Sequence, residues 1–189
     1  MSTKAKAGFA LNRTLPRNAF AEERPTVVAI LRNVAGEVML VHPQKIDIAA
    51  NAWMFPQGPI APLHTPYQAL DSLLQDECGM SVDDLESGSI QLLMTDLAQT
   101  KAGLKRYYCL FATIKAEARP RLTKQVKKST RNLFFTGDPN CVWQKIVDDT
   151  PKKRHMIARA LALAVQRQLL VTEKWQLANM YPMLRNVVA

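Results

Sequence analysis

The chain has 189 residues, a length that suits one domain with short extensions rather than two domains. Hydrophobic residues make up 48% and charged residues 22%, which excludes wholesale disorder, and three scattered cysteines argue against a zinc knuckle or a disulfide framework. The formal charge of +9 favours a polyanionic partner such as nucleic acid; the alternative is that this charge only aids solubility.

The two ends of the chain differ in character from its middle. Residues 1–24 are basic without a clear period and are interpreted as an N-terminal arm; residues 25–170 form the predicted domain, and residues 171–189 a C-terminal extension. No apolar run reaches the roughly 18 residues that a membrane span needs. The basic N-terminus also lacks the apolar core of a secretory signal. We therefore expect a cytoplasmic protein without a membrane partner.

The first part of the domain reads as strands separated by turns. Residues 26–31 and 37–41 are rich in β-branched and aliphatic side chains and flank a turn at 33–36, a hairpin pattern. Residues 53–55 form a further short strand, and the Pro-Gln-Gly-Pro sequence at 56–59 predicts a turn that closes it.

A helix is predicted next, from residue 66 to about residue 78. Thr65 is a suitable N-cap, followed by a proline in the first turn, and Gly79 is a left-handed stop at the C-terminal end. Steps of four residues give this helix one apolar face, formed by Leu70, Leu74 and Cys78.

The second part of the domain contains strands, a basic segment and a final helix. Residues 90–94 and 104–114 predict strands, and residues 141–143 a last one. Residues 115–131, called here the basic connector, hold seven Lys and Arg against a single acid and are expected at the surface. A helix follows over 151–169. This order predicts an α+β fold, an α/β/α sandwich.

The most informative stretch reads Trp-Met-Phe-Pro-Gln-Gly-Pro-Ile over residues 53–60. Counted from Gly58, it resembles, together with the following helix, the Nudix superfamily signature G-x5-E-x7-R-E-U-x-E-E-x-G-U, where U is apolar. The later signature positions are filled without insertion by Leu74, Asp76, Glu77, Gly79 and Met80. The Trp-x-Phe-Pro-Gln-Gly lead-in is similar to the branch that contains bacterial RNA 5′-pyrophosphohydrolases and dinucleoside polyphosphate hydrolases. Specific matches occupy residues 53–80.

The resemblance implies a mixed β-sheet between helices and hydrolysis of nucleoside diphosphates linked to another moiety. It implies that Mg²⁺ or Mn²⁺ is held by Asp76 and Glu77, the candidate catalytic residues, with the carbonyl of Gly58 as a further ligand. Oxygen ligands suit these cations, which bridge substrate phosphates.

A further acid from outside the signature commonly joins such a metal site. Asp138 is the candidate by position, and Asp148 and Asp149 are its rivals. The alternative reading of Asp138, in a Gly-Asp-Pro sequence, is an ordinary turn residue, which turn preferences favour.

Three signature positions depart from the family pattern. The first Glu falls on His64, the Arg on Ser72 and the second Glu on Leu73. Leu73 offers no oxygen, so only Asp76 and Glu77, three and four residues on, remain acidic on this helix face. Because the usual ion pair is lost as a pair at His64 and Ser72, neither position leaves an uncompensated buried charge. We therefore expect hydrolysis to be weak or absent and the metal site to be weakened or lost.

Three functions stay open at this point: a divergent hydrolase, a non-catalytic nucleotide or RNA binder, and a structural protein whose charge is incidental. The first two predict substrate contacts at Gly58, His64, Lys127 and Lys128. The basic connector 115–131, with the basic start of the last helix, is predicted to bind a polyanion. The expected partners are thus a nucleotide or RNA 5′ end, a polyanion and, in a homodimer, a second copy of the chain.

Overall fold

The computed structural model describes residues 23–44, 53–100, 103–146, 151–171 and 175–176. Within these ranges, the strands are β1 (Glu23–Arg32), β2 (Val38–Pro43), β3 (Gln57–Pro59), β4 (Gln91–Thr100), β5 (Gly103–Thr113) and β6 (Thr130–Thr136). The α-helices of the same ranges are α1 (Pro66–Leu73), α2 (Pro139–Lys145) and α3 (Pro151–Gln166). No helix in these parts of the chain is long and apolar enough to cross a membrane.

The strands form one mixed sheet in the order β4-β5-β1-β2-β6, with β3 added to β1. β1 and β5 are parallel, and the other pairs are antiparallel. The predicted hairpin is confirmed as β1 and β2. Its turn is held by the Asn33 side chain, which accepts a hydrogen bond from the Glu37 amide and donates one to the Glu37 carboxylate, both 2.9 Å long.

Alternate residues of β1 point to opposite faces of the sheet, as the period of a strand requires. Val28 and Ile30 belong to the core cluster that packs against α3. Val27, Ala29 and Leu31 belong to the cluster that packs against α1. The predicted α+β sandwich, with a mixed sheet between helices, is therefore confirmed, because one strand supplies apolar side chains to both layers.

The helix predicted over residues 66–78 is also present, with a widened last turn. Thr65 and Gln68 form a capping box, in which each side chain accepts from the other residue's backbone amide, at 3.2 and 2.8 Å. Residues Leu74–Cys78 adopt a π-helical turn, and Gly79 ends it at a φ of +63°. The whole segment from Pro66 to Gly79 is called here the box helix.

The strand predicted at residues 141–143 is wrong, because these residues lie in α2. Asp138 caps this helix, its carboxylate accepting from the amide of Asn140 at 2.9 Å, and Pro139 occupies the first helical position. The Gly-Asp-Pro sequence is thus a helix start, and a short apolar run after it does not distinguish a strand from one helical turn.

Two strands were not predicted as such. β6 follows the 3₁₀ turn Val126–Lys128 of the basic connector and pairs with β2 at the sheet edge. β3 lies within residues 56–59, where a turn was predicted; Gly58 pairs there with Val27. A three-residue strand is too short to carry a period, so only its partner reveals it.

Several sequence predictions lie outside the described residues. These are the N-terminal arm apart from the two residues that start β1, the pair Asp148 and Asp149, and the C-terminal extension apart from Val171 and residues 175–176. The division of the chain into arm, domain and extension remains a prediction.

We expect Gly79→Ala to lower the free energy of unfolding by about 2–4 kcal/mol, since it adds left-handed strain and a clash. A Cβ at Gly79 would lie 2.1 Å from the carbonyl oxygen of Arg121. Gly88→Ala is the matched control: its φ is +71°, yet nothing lies within 4 Å of the added carbon. The control should lower the free energy of unfolding by only about 1 kcal/mol, because it adds left-handed strain without a clash. Equal losses in urea unfolding would contradict the close approach of Arg121.

Candidate functional site

Glu77 lies where the box helix meets the strand that carries Gly58. Its Oε2 accepts a hydrogen bond from the backbone amide of Gln57 at 3.1 Å. Burial raises the pKa of Glu77 from 4.5 to about 7; the Gln57 amide opposes this rise, the neighbouring Asp76 adds to it, and the charge of Lys153 opposes it. Glu77 is therefore a carboxyl group whose charge changes near neutral pH, with the basic start of α3 within electrostatic reach.

Asp76, the second acid of the signature, is exposed and bound to the basic connector. Its carboxylate accepts a hydrogen bond from Gln125 Nε2 at 3.3 Å. Its backbone carbonyl accepts one from Ser129 Oγ at 2.6 Å. The amide of Arg121 donates to the carbonyl of Cys78 at 2.9 Å. The connector is thus fastened along the C-terminal end of the box helix.

Leu73 occupies the signature position of the missing carboxylate and is buried. It is 5% exposed and belongs to the core cluster under α1. Its Cδ1 lies 3.3 Å from where a Cβ on Gly58 would stand. The side chain therefore packs against the signature glycine and contributes apolar surface where the family pattern requires an oxygen ligand.

The remaining donors do not fit a divalent-metal centre of the kind that the resemblance implies. Among the described residues, no three His, Cys, Asp or Glu side chains lie close enough together to hold a metal. Asp138 uses a carboxylate oxygen to cap α2. Mg²⁺ and Ca²⁺ sites take six or more oxygens, so Asp76, Glu77 and the Gly58 carbonyl leave most positions to water.

The other candidate contacts are distributed around the box helix. His64 is exposed in the loop before α1, and Ser72 is exposed on α1 itself. Lys127 and Lys128 are exposed on the 3₁₀ turn, which is anchored by the fully buried Val126. The connector is therefore an ordered support for these lysines where it crosses the helix end.

The lead-in tryptophan has a structural role. The amide of Trp53 donates to the carbonyl of Lys145 at 3.0 Å, and its ring lies 5.5 Å from the Phe134 ring. The ammonium of Lys145 lies 4.9 Å from the centre of the Phe134 ring. These contacts join the segment before Gly58 to α2 and β6.

Sequence reasoning missed Gln57, Gln125 and Ser129 as contacts of the two acids. The first acts through its backbone, and the other two lie 49 and 53 residues from Asp76. The sole hint was the predicted connector itself, whose polar residues stand among its basic ones.

Comparison with curated proteins gives local matches. No family model matches the chain. Over 63 residues the chain is 43% identical to the RNA pyrophosphohydrolase of Alkalilimnicola ehrlichii and 44% identical to that of Pseudomonas putida. Each match covers 33% of this chain, and they cover 33% and 37% of those relatives, so the likeness spans about a third of their length.

Comparison with solved structures covers most of the chain. The Nudix domain of Shewanella oneidensis NrtR, complexed with ADP ribose, matches with a TM-score of 0.59 and 17% identity, over 82% of this chain and 94% of that one. A Nudix hydrolase from Nitrosomonas europaea matches with a TM-score of 0.59 and 10% identity, over 81% of this chain and 99% of that one. The C. elegans Ap4A hydrolase matches with a TM-score of 0.57 and 12% identity, over 77% of this chain and 98% of that one.

Identities this low show the fold alone, and the fold is that of Nudix hydrolases. The chain therefore has the fold of Nudix hydrolases and, over 63 of its residues, a local likeness to RNA pyrophosphohydrolases.

Proposed function

We propose that this chain binds a nucleotide or an RNA 5′ end on its Nudix fold and hydrolyses the pyrophosphate bond weakly or not at all. The observation that carries the proposal is Leu73, buried against Gly58 at the position of a signature carboxylate. An apolar side chain there removes one ligand charge and also excludes water from that side of the box helix.

Electrostatics explains why this substitution weakens metal-dependent chemistry. The attraction between a divalent cation and its site grows with the number of carboxylates within a few ångströms. A bound metal neutralises phosphate charge and lowers the pKa of the attacking water. With only Asp76 and Glu77 present, and with Asp76 hydrogen-bonded to Gln125, both contributions decrease.

Phosphate binding does not depend on the lost carboxylate. Lys124, Lys127, Lys128 and Arg131 are exposed on the connector. Ser129 donates to the carbonyl of Asp76, and the four basic residues lie within five residues of Ser129 in the chain. Cations gathered on one surface attract a phosphate backbone by counterion release, without reading its sequence.

The ligand class is supported by what similar proteins act on or bind. The curated relatives are named RNA pyrophosphohydrolases, and the Shewanella structure holds ADP ribose. RNA and ADP ribose both contain nucleosides esterified with phosphate. Phosphate groups are negatively charged, as a ligand of a basic surface should be. Mg²⁺ or Mn²⁺ would reach the site only together with such a ligand, whose phosphate oxygens would complete the coordination.

A second candidate, a divergent hydrolase, is favoured by Glu77. A carboxyl group with a pKa near 7 has the proton affinity of an efficient general acid or base at neutral pH. In this alternative Glu77 takes the proton of the attacking water. The two candidates differ in turnover, while binding is common to both.

The first prediction concerns catalysis and metal binding. The wild-type chain should show little or no turnover of 5′-triphosphorylated RNA or ADP ribose with Mg²⁺. Leu73→Glu combined with Ser72→Arg should raise Mn²⁺ affinity in calorimetry, because it restores the third carboxylate; Ser72→Arg alone is the control. Robust wild-type turnover that Asp76→Ala or Glu77→Ala abolishes would establish the hydrolase instead.

The second prediction concerns the basic connector. Lys127→Gln with Lys128→Gln should weaken binding of single-stranded RNA by about tenfold at low salt, and binding should fall steeply as salt rises. Thr95→Glu with Gln166→Glu removes the same net charge on exposed residues of β4 and α3. Fluorescence anisotropy should show a larger loss for the lysine pair. Equal losses would mean that net charge, rather than this surface, attracts RNA.

The third prediction follows from the pKa of Glu77. Because this pKa is raised on folding, ionisation of Glu77 is less favourable in the folded state than in the unfolded state. The contribution of this group to stability is therefore highest below pH 4.5 and decreases as pH rises to about 7. The decrease from this group is roughly 3 kcal/mol, at about 1.4 kcal/mol per pKa unit. Glu77→Gln should therefore gain stability over wild type between pH 5 and 7.5 in urea unfolding.

Glu86→Gln is the control for this measurement, since Glu86 is exposed. Its stability should follow that of the wild type across the same pH range. If Glu77→Gln also follows the wild type, the carboxyl is not buried as described.

A further inference from the structure

A cavity of about 310 Å³ has a lining that includes none of the signature acids. It lies at the end of β1 where the hairpin turn begins. Val27, which pairs with Gly58, lies five residues before the end of that strand, a distance of roughly 17 Å at about 3.3 Å per residue. The residues that define its chemistry are Val34, Ile114, Lys115, Arg119, Pro120 and Phe135.

The walls of this cavity are apolar and fixed. Val34 stands on the turn that Asn33 and Glu37 close with their paired hydrogen bonds, and it is 66% exposed. Phe135 comes from β6, where it pairs with Met39, and remains half-buried. An exposed aliphatic residue and a half-covered ring in one cavity leave apolar surface that a ligand can bury.

Two cations stand at the same cavity, each held by backbone carbonyls. Lys115 donates from Nζ to the carbonyl of Asp83 at 2.7 Å. Arg119 donates from Nη1 to the carbonyl of Ala118 at 2.7 Å and to that of Ala116. Neither forms an ion pair within the described residues. Their positions are thus restrained while their positive charges are not neutralised.

Both side chains keep N–H groups that can donate hydrogen bonds to a ligand. A guanidinium carries five N–H groups, and the hydrogen bonds above use only Nη1, so Nε and Nη2 of Arg119 keep theirs within the described chain. The Lys115 ammonium likewise has three donors and uses one. A carboxylate or a phosphate accepts such hydrogen bonds best, because charge-assisted bonds are the strong ones.

We propose that this cavity is a binding site for a small anion with an aromatic body. The anionic group binds Lys115 and Arg119, and the ring packs on Phe135 and Pro120. The volume is at the lower end of the roughly 300–1,000 Å³ typical of ligand pockets, which suits a one- or two-ring compound. An aromatic compound with a positive charge would be repelled by the two cations. A neutral aromatic compound would leave both cations without an opposite charge.

Isothermal titration of the full chain at low salt tests the proposal with three matched probes. These are 1-naphthyl phosphate, 1-naphthoate and the neutral 1-naphthol. We expect saturable one-to-one binding of at least one anion, and binding of 1-naphthol weaker by about tenfold, the effect of losing a charge-assisted hydrogen bond. Tighter binding of the phosphate or of the carboxylate identifies which anionic group the site prefers.

Variants separate this cavity, which holds Lys115 and Arg119, from the connector cations that lie outside it. Arg119→Gln should weaken anion binding by about tenfold, and Val34→Trp, a change at an exposed turn, should block the cavity. Lys124→Gln removes an exposed connector cation outside the cavity and should weaken anion binding much less than Arg119→Gln does. The proposal is overturned if neither anion binds saturably, or if Lys124→Gln weakens binding as much as Arg119→Gln does.

Discussion

The close approach of two backbones at Gly79 determines how the site is assembled. The left-handed residue ends the π-helical turn, and a side chain there would lie 2.1 Å from the carbonyl oxygen of Arg121. Because glycine has no Cβ, the connector passes directly against the helix end, and Arg121 donates its amide to the carbonyl of Cys78. Helix ends leave carbonyls without intrahelical partners, so the connector satisfies a requirement of the helix while it brings its lysines to that point.

The same helix explains why the fold persists although the signature has changed. Leu73 lies on the buried face with Leu70 and Leu74, so an apolar residue at this position extends the core. Burying a leucine side chain stabilises a fold by about 2 kcal/mol, whereas an unpaired buried carboxylate would cost energy. Glu77 shows that cost in its raised pKa, which is limited by the Gln57 amide. Stability and metal binding therefore make opposite demands on this face.

What the net positive charge can do depends on where the basic residues lie in the structure. Some half-buried basic residues make contacts within the fold: Arg32 donates to the carbonyl of Leu169 at 2.6 Å, and Arg154 lies 4.3 Å from the centre of the Trp143 ring. Others, such as Lys127 and Lys128, are exposed on an anchored turn. Arg119 and its neighbour Lys115 border a separate apolar cavity. The formal charge of +9 thus includes cations that make structural contacts and cations that are exposed to solvent.

Local chemistry in the sequence determined the hairpin, the box helix and the spacing from Gly58 to Gly79. A cap, a stop and a period of two or four act within a few residues, so they can be read without the fold. Tertiary structure alone decided that 141–143 is helical, that β6 pairs with β2, and that Asp76 binds residues about 50 positions away. These outcomes depend on which segments meet across the sheet, and the free energy of such contacts is absent from any local pattern.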